Sequence, residues 1–203
     1  MQLSTAFLTF CFTMAFTPGP NNIMIMTSGL NHGVRASLSH LAGIAIGVPT
    51  MFVALGLGLG VVFERYPQIH LAIKIIGALY LIYLAWLIAR ASAVESEKAV
   101  TAPLTFFQSM LFQWVNPKSW LIATYTIATF TVVGSDLLSQ ILLIAIVFLI
   151  AAFVSSGTWL LFGMSLQTLL KKHLYRHIFN ITMAILLLVS VLPITLKTLI
   201  FPQ

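Results

Sequence analysis

An apolar run near the start of the chain is interrupted by Thr17-Pro18-Gly19-Pro20-Asn21-Asn22, and a second run, in the other half, by Asn116-Pro117-Lys118. A helix does not keep its backbone hydrogen bonds through such a stretch, because proline lacks the amide N–H and its ring clashes with the carbonyl four residues earlier. In lipid, an unpaired backbone group costs several kcal/mol, so broken helices persist only where protein or a polar cavity satisfies them. Paired interruptions in the two halves of a membrane protein point to the solute site of a transporter.

The composition indicates an integral membrane protein. The 203 residues are 60% hydrophobic and 7% charged, whereas soluble domains carry roughly 25% charged residues. The formal net charge of +6 is attributed to basic cytoplasmic loops, and no nucleic-acid partner is expected. No basic residue precedes Arg35 and no small-x-small site precedes Thr17, which argues against a cleaved signal peptide. The only cysteine, Cys11, forbids an internal disulfide and a two-cysteine redox relay.

The apolar runs predict an all-α fold with six membrane spans, since a span needs ~20 apolar residues. Their bounds are roughly 3–27, 37–62, 68–90, 105–133, 137–163 and 178–200. The first and fourth helices are the broken ones. Three spans per half give the halves opposite orientations, the inverted repeat common in secondary transporters. We expect a single domain over residues 1–203, with repeat one at about 3–90, repeat two at about 105–200 and a cytoplasmic connection at about 91–104.

The distribution of basic residues predicts the orientation. The first, third and fifth connections carry most of the lysines and arginines, whereas the second and fourth carry few. Short loops rich in lysine and arginine remain in the cytoplasm. Both termini are therefore expected on the outer side of the membrane.

The two interruptions share a local pattern. Thr17 and Asn116 are residue types that cap helix N termini, and each is followed by a proline, which is favoured at the first helical position. Each pair is predicted to begin a half-helix inside the membrane, whose free N–H groups and partial positive charge suit a carboxylate. Gly19 leaves room for the turn, while Asn21 and Asn22 add amide donors and acceptors. The alternative is a simple kink between packed helices.

Lys118 lies well inside an apolar run, where a cation costs ~3 kcal/mol or more and is a functional candidate. We expect it to contact a substrate carboxylate or to sense occupancy of the site. The alternative is that it reaches out to the cytoplasmic face. Gln113, one turn before Pro117, is expected to face the same cavity. The predicted substrate-binding residues are Thr17, Pro18, Gly19, Pro20, Asn21, Asn22, Gln113, Asn116, Pro117 and Lys118.

The predicted spans contain no Asp or Glu, so a carboxylate proton relay through the membrane has no obvious carrier. A coupling proton would have to use Lys118, His40, Asp136 or the substrate's own groups. His40 and the serines beside it otherwise predict a polar cluster at the membrane interface. No cofactor and no metal ion are expected.

Small residues predict where helices approach one another closely. Gly43 and Gly47 in the second span, with Gly77 in the third, are the candidates. Whether these glycines pack the fold internally or form a homodimer interface is left open. Ser155 and Ser156 are polar for their depth in the fifth span, which makes them candidates for lining a cavity.

Several motifs, in their order and spacing, resemble the LysE-type family of bacterial amino-acid exporters, also called the RhtB or homoserine/threonine-efflux group. The resemblance covers nearly the whole chain and rests on residues 17–22, Gly33, and residues 40–47, 74–81 and 113–118. It implies a six-helix inner-membrane protein that expels an amino acid or a close derivative, driven by an ion gradient. The cysteine and O-acetylserine exporters look like the nearest branch.

The leading hypothesis is a secondary-active exporter of a small neutral amino acid or derivative, of the cysteine/O-acetylserine or homoserine/threonine type. Its partners would be the amino-acid substrate, the lipid bilayer and a coupling ion such as the proton. A passive channel or pore is the second hypothesis, and saturable counterflow would separate the two. An intramembrane serine protease is a remote third, because the histidines that could act as its base lie at membrane edges.

Overall fold

The computed structural model describes residues 4–90, 102–132, 136–170 and 172–200, which form helices and turns but no strands. Most of the predicted connection at 91–104 therefore lies outside the described residues. The helices are α1 (Thr5–Phe16), α2 (Pro20–Ala54), α3 (Gly60–Arg65), α4 (Pro67–Arg90), α5 (Phe106–Phe112), α6 (Pro117–Phe130), α7 (Leu137–Leu169) and α8 (His173–Ile200). The predicted all-α class is confirmed for this part of the chain.

Both predicted interruptions are present. α1 ends at Phe16 and α2 begins at Pro20, while α5 ends at Phe112 and α6 begins at Pro117. In each case a proline occupies the first turn of the second helix, where its missing N–H leaves no hydrogen bond unmade. We call residues 17–19 the first break and residues 113–116 the second break.

α2 reverses direction at Gly33. This residue has φ 78° and ψ 175°, a region of backbone space that only glycine enters readily. The hydroxyls of Ser28 and Ser37 lie 2.8 Å apart, although nine residues of straight helix would separate them by about 13 Å. α2 therefore has a first arm, residues 20–32, and a second arm, residues 34–54, and its turn falls within the predicted first connection.

The predicted second span is not one smooth helix. A π-helical turn, Leu55–Leu59, separates α2 from α3, and Gly58 within it has φ 106°. Gly56 packs closely against Ile141, but Gly58 and Gly60 have open space where a side chain would be. Gly58 therefore permits the irregular backbone of this turn, whereas Gly60 has an ordinary helical conformation.

α7 and α8 extend beyond the predicted ends of the fifth and sixth spans. α7 continues to Leu169 and α8 already begins at His173. Polar side chains near the end of α7 bond to nearby carbonyls, with Thr168 donating to Ser165 at 3.0 Å. Gln167 donates at 3.0 Å to the carbonyls of Gly29 and Leu30 in the first arm of α2. The bonds of Gln167 hold the end of α7 against the first arm of α2.

Close contacts across glycines hold the two halves of the chain together. A Cβ added at Gly29 would clash with the carbonyl of Leu160, and one at Gly163 with the carbonyl of Met26, which brings the first arm of α2 against α7. Gly43 approaches the carbonyl of Phe106 in α5 in the same way. An added Cβ would lie 2.8 Å from Met110 at Gly47 and 2.7 Å from Val115 at Gly77.

Within the described part of the chain, three helical stretches are long and apolar enough to cross a bilayer, namely residues 20–62, 71–90 and 137–169. Large apolar side chains are exposed along the outside of several helices, among them Leu79 on α4 and Phe153 on α7. A monomeric soluble protein rarely exposes so much apolar surface, so lipid is its natural surrounding. The division into six spans and two inverted repeats stays a prediction.

Candidate functional site

The helix after the second break begins where predicted, at Pro117. The helix after the first break begins later than predicted. Asn116 is the N-cap of α6, and its side-chain oxygen accepts from the backbone N–H of Lys118 at 3.1 Å. Thr17 instead ends α1, and its hydroxyl donates to the carbonyl of Thr13 at 2.7 Å. The N-cap of α2 is the extended Gly19, followed by Pro20. The half-helix therefore starts at Pro20 rather than Pro18.

A reciprocal pair of amides joins the two breaks. Asn21 donates to Gln113 at 2.9 Å, and Gln113 donates back to Asn21 at 3.1 Å. Ser119 donates to the same Gln113 oxygen at 3.1 Å, and Gln113 also donates to the carbonyl of Ser109 at 2.9 Å. Gln113 is fully buried, and these bonds use its donors and acceptor almost completely.

The freed carbonyls at the end of α1 also find partners from other helices. The side-chain amide of Asn22 donates to the carbonyls of Ala15 at 2.9 Å and Thr17 at 3.0 Å. Ser155 on α7 donates to the carbonyl of Ala15 at 2.8 Å, and the ammonium of Lys118 donates to that of Thr17. A helix end without such partners is unfavourable in lipid. These four bonds explain how the first break is accommodated.

The side chain of Lys118, which follows the second break, extends to the first break and lines the space between them. Its stem passes directly over Gly19, where an added Cβ would lie 2.6 Å from Cδ and 3.2 Å from Nζ. The side chain is half-buried. Of the two interpretations of Lys118, the structure therefore has the one in which it faces the cavity.

A cavity with about 490 Å³ of empty space, part of it open to the surroundings, lies between the breaks and α7. Its polar lining comes from Gly19, Asn21, Asn22, Asn116, Lys118, Ser119, Ser155 and Ser156. Its apolar lining comes from Met14, Ala15, Ile44, Val48, Phe52, Ile122, Phe148 and Ala152. Five of the ten predicted site residues therefore line one cavity.

The other five predicted residues do not line this cavity. Thr17 and Pro18 are exposed, and Pro20 is buried in the first turn of α2. Gln113 lies behind Asn21 and orients it, and Pro117 starts α6. Sequence reasoning missed Ser119 and the apolar wall, because an isolated serine or valine in a helix carries no signal of its surroundings. The position of Ser119 beside the Asn-Pro-Lys motif was the one available clue.

The arrangement suits a small molecule with a carboxylate and a modest side chain. Among the described residues that line the cavity, Lys118 alone carries a charge, and it is surrounded by amides and hydroxyls. Phe52 and Phe148 stack with their ring centroids 4.2 Å apart and form part of the apolar side. Pockets that combine an apolar wall with a few polar groups orient their ligands.

Asp136 and His40, two proposed proton carriers, lie away from this cavity. Asp136 is the exposed N-cap of α7, and hydrogen bonds from the hydroxyl and the backbone N–H of Ser139 lower the pKa of its carboxyl below 3.8. It is therefore ionised at neutral pH and unsuited to carrying a proton there. His40 is only 2% exposed, because the second arm of α2 packs inside the helix assembly. Its expected depth at the membrane interface stays a prediction.

Comparison with known proteins identifies the class of protein. Residues 12–195 match the LysE type translocator family, and the chain belongs to this family. It is 31% identical over 186 residues to the cysteine/O-acetylserine efflux protein of Escherichia coli O1:K1, covering 91% of this chain and 93% of that one. The protein of the same description from E. coli K12 is 30% identical over the same share of each chain. No solved structure matches.

Family membership and the long apolar helices together define a multi-pass membrane protein. The description of the family as translocators indicates a transporter. The resemblance seen in the motifs is thereby confirmed over most of the chain.

Proposed function

We propose that this protein exports a small neutral amino acid or a close derivative across the bacterial inner membrane as a secondary-active carrier. Substrates of the cysteine/O-acetylserine or homoserine/threonine type fit the proposal. The similarity to cysteine/O-acetylserine efflux proteins over nearly the full length supports this class of solute. The observation that carries the proposal is the cavity shared by both helix breaks, with Lys118 facing into it.

Lys118 is the proposed partner of the substrate carboxylate. In the structure its ammonium donates to the neutral carbonyl of Thr17. A carboxylate would accept the same kind of hydrogen bond and add attraction between opposite charges, which the neutral carbonyl does not offer. Substrate would therefore draw Lys118 away from the first break. The asparagine amides and Ser119 would meet the remaining polar groups, and the substrate side chain would lie against Val48 and Phe52.

This exchange of partners suggests how binding is coupled to movement. Lys118 in α6 is held to the end of α1, so it joins the two predicted repeats. When the substrate carboxylate binds the ammonium of Lys118, the hydrogen bond between Lys118 and Thr17 breaks. The Asn21–Gln113 pair remains as a connection between the repeats. Alternating access by rocking of one repeat against the other is the usual mechanism of inverted-repeat carriers. An ion gradient, with the proton as the simplest ion, would drive export.

Counterflow in vesicles containing the purified protein tests the proposal. We expect saturable exchange of at least one of labelled cysteine, O-acetylserine, homoserine and threonine. Replacing Lys118→Leu removes a charge-assisted bond of about 1.5–3 kcal/mol, so the half-saturating concentration should rise tenfold or more.

Lys172→Leu is the matched control, because Lys172 is exposed beside the ring of Tyr175, with 5.8 Å between its Nζ and the ring centroid. It should transport like the unmodified protein. Flux that rises linearly with concentration would indicate a pore. Unchanged exchange by folded Lys118→Leu protein would reject the proposed role of Lys118.

A further inference from the structure

A second cavity, with about 460 Å³ of empty space that is partly open to the surroundings, lies beside the first arm of α2 and away from the breaks. Its polar lining comes from Thr27, Ser28, Asn31, His32 and His40. Its apolar lining comes from Met24, Leu84, Leu87, Ile88, Ala102, Pro103 and Leu104. The two arms of α2, the end of α4 and the segment before α5 therefore enclose it together.

His40 lines this cavity, and one nitrogen of its imidazole ring is unpaired. Its side chain is 2% exposed, and its Nδ1 is buried without a hydrogen-bond partner among the described residues. Buried polar groups are nearly always paired, and one that is not calls for an explanation. Three other lining side chains already have partners. Thr27 donates to Met24, Ser28 pairs with Ser37, and Asn31 pairs with Asn180.

The two cavities follow one another along a single helix face. Asn21 lines the first cavity, whereas Met24, Ser28 and Asn31 line the second. Residues at intervals of three and four lie on one side of a helix. At 1.5 Å per residue, Ser28 is about 10 Å along the axis from Asn21. The second cavity thus lies between the proposed transport site and the turn at Gly33, which is the predicted cytoplasmic end.

We propose that this second cavity is a waiting site, in which substrate from the cytoplasm binds before it passes to the cavity between the breaks. This rests on the proposed function. The imidazole nitrogen of His40 accepts a hydrogen bond from the ammonium, hydroxyl or thiol of the solute. No Asp, Glu, Lys or Arg is present among the described lining residues. The site therefore takes a small solute without net charge, such as a zwitterion with a short polar side chain.

Protection of introduced cysteines from a small maleimide tests the waiting site in the purified protein. In a Cys11→Ser background, Ala102→Cys reports on the second cavity and Ala152→Cys on the first. Ala36→Cys is the control, because Ala36 is exposed near the same membrane side and lines neither cavity. Homoserine and O-acetylserine are the probes. We expect each bound probe to slow labelling at positions 102 and 152 about fivefold or more, but not at position 36.

His40 is tested by two substitutions in the same reporters. His40→Leu removes the acceptor, so the probe concentration that half-protects position 102 should rise about tenfold, while that for position 152 stays the same. His40→Asn keeps a polar atom near the place of Nδ1. It should therefore change the probe concentration that half-protects position 102 less than threefold. If folded His40→Leu protein needed the same probe concentration as the parent for half-protection of position 102, the proposed role of His40 would be overturned.

The outcomes at the two cavities separate the two proposals. Protection at position 152 without protection at 102 would mean that the second cavity holds water alone, which overturns the waiting site and leaves the proposed function standing. Absence of protection at both positions, together with absence of counterflow, would overturn the proposed function as well. Protection at 102 remains decisive if His40→Leu fails to fold.

Discussion

Lys118 and Gly19 depend on each other, although they belong to different halves of the chain. The lysine stem occupies the space that any side chain at position 19 would need. Its ammonium then reaches the Thr17 carbonyl, a group that the first break leaves without a helical partner. One cation thereby satisfies one break and lines the cavity between both. Its cost in an apolar surrounding is offset by that bond and by the polar lining.

Gly19→Ala should impair transport without unfolding the protein. The new Cβ would lie 2.6 Å from Cδ of Lys118, and the flexible lysine would move more readily than the backbone. We expect the half-saturating concentration in counterflow to rise about tenfold, equivalent to one displaced hydrogen bond. Gly157→Ala is the control, since no atom lies within 4 Å of a Cβ there. Equal transport by both variants would contradict the proposed position of Lys118.

The Asn21–Gln113 pair should show energetic coupling. Removing either partner leaves a polar group unpaired, which costs about 1–3 kcal/mol. Removing both should cost less than the sum, by 0.5 kcal/mol or more in a double-mutant cycle, the range found for residues in contact. Apparent unfolding free energies of Asn21→Ala, Gln113→Ala and the double variant provide the measurement. The control cycle combines Asn21→Ala with Asn180→Ala, because these two residues share no hydrogen bond. Their effects on the unfolding free energy should add. If the effects of Asn21→Ala and Gln113→Ala also added strictly, the proposed pair would be disproved.

At the scale of elements, α2 determines the geometry of both cavities. Its start at Pro20 forms one side of the first break, and its reversal at Gly33 brings His40 beside Thr27 and Ser28. Gln167 of α7 secures the end of the first arm through the carbonyls of Gly29 and Leu30. A single glycine therefore sets the direction of the second arm, and the packing of Gly43 against α5 follows from it.

Gly33→Ala should destabilise the turn of α2. Space is not limiting, because the nearest atom to an added Cβ is Nε2 of Gln167, at 3.9 Å. The φ of 78° and ψ of 175° are instead strained for any residue with a side chain, by about 1–3 kcal/mol. A lowered melting temperature in detergent would show this. Gly60→Ala, in an ordinary helical position with open space, should melt like the parent, and an unchanged Gly33→Ala would contradict the turn.

At the scale of the whole molecule, the family assignment and the structure support the same picture of a helical carrier. The match extends over residues 12–195, which includes both breaks and all the lining residues of both cavities. The halves meet across glycines and polar pairs that link the first arm of α2 to α7 and to the second break, and α1 to α7. A substrate at the proposed site would contact both halves at once, which is what alternating access requires.

The predicted orientation can be checked with an impermeant maleimide on intact cells. In the Cys11→Ser background, Asp136→Cys lies in the fourth connection and Lys172→Cys in the fifth, and both positions are exposed. Basic residues are expected to keep the fifth connection in the cytoplasm. Position 136 should therefore label on intact cells, and position 172 only after permeabilisation. The reverse pattern would contradict the placement of both termini outside.

The predictability of the site differs between its parts. The break at Pro117, with Asn116 as its cap, was readable because proline and asparagine act on their own backbone. The start of the first half-helix was assigned to Pro18 instead of Pro20, since both prolines fit the preference for proline at the first helical position. The burial of His40 was missed, because a histidine next to serines at the end of an apolar run also fits a membrane interface.

By itself, the sequence determined that this is a helical membrane protein with two broken helices, because composition and proline act on each segment regardless of its neighbours. Only the tertiary structure decided that Asn21 pairs with Gln113, that Lys118 binds the carbonyl of Thr17, and that Ser119 and the apolar wall share one cavity. Such pairings depend on how helices turn and approach one another. That geometry arises from the packing of the whole chain and from no single stretch of it.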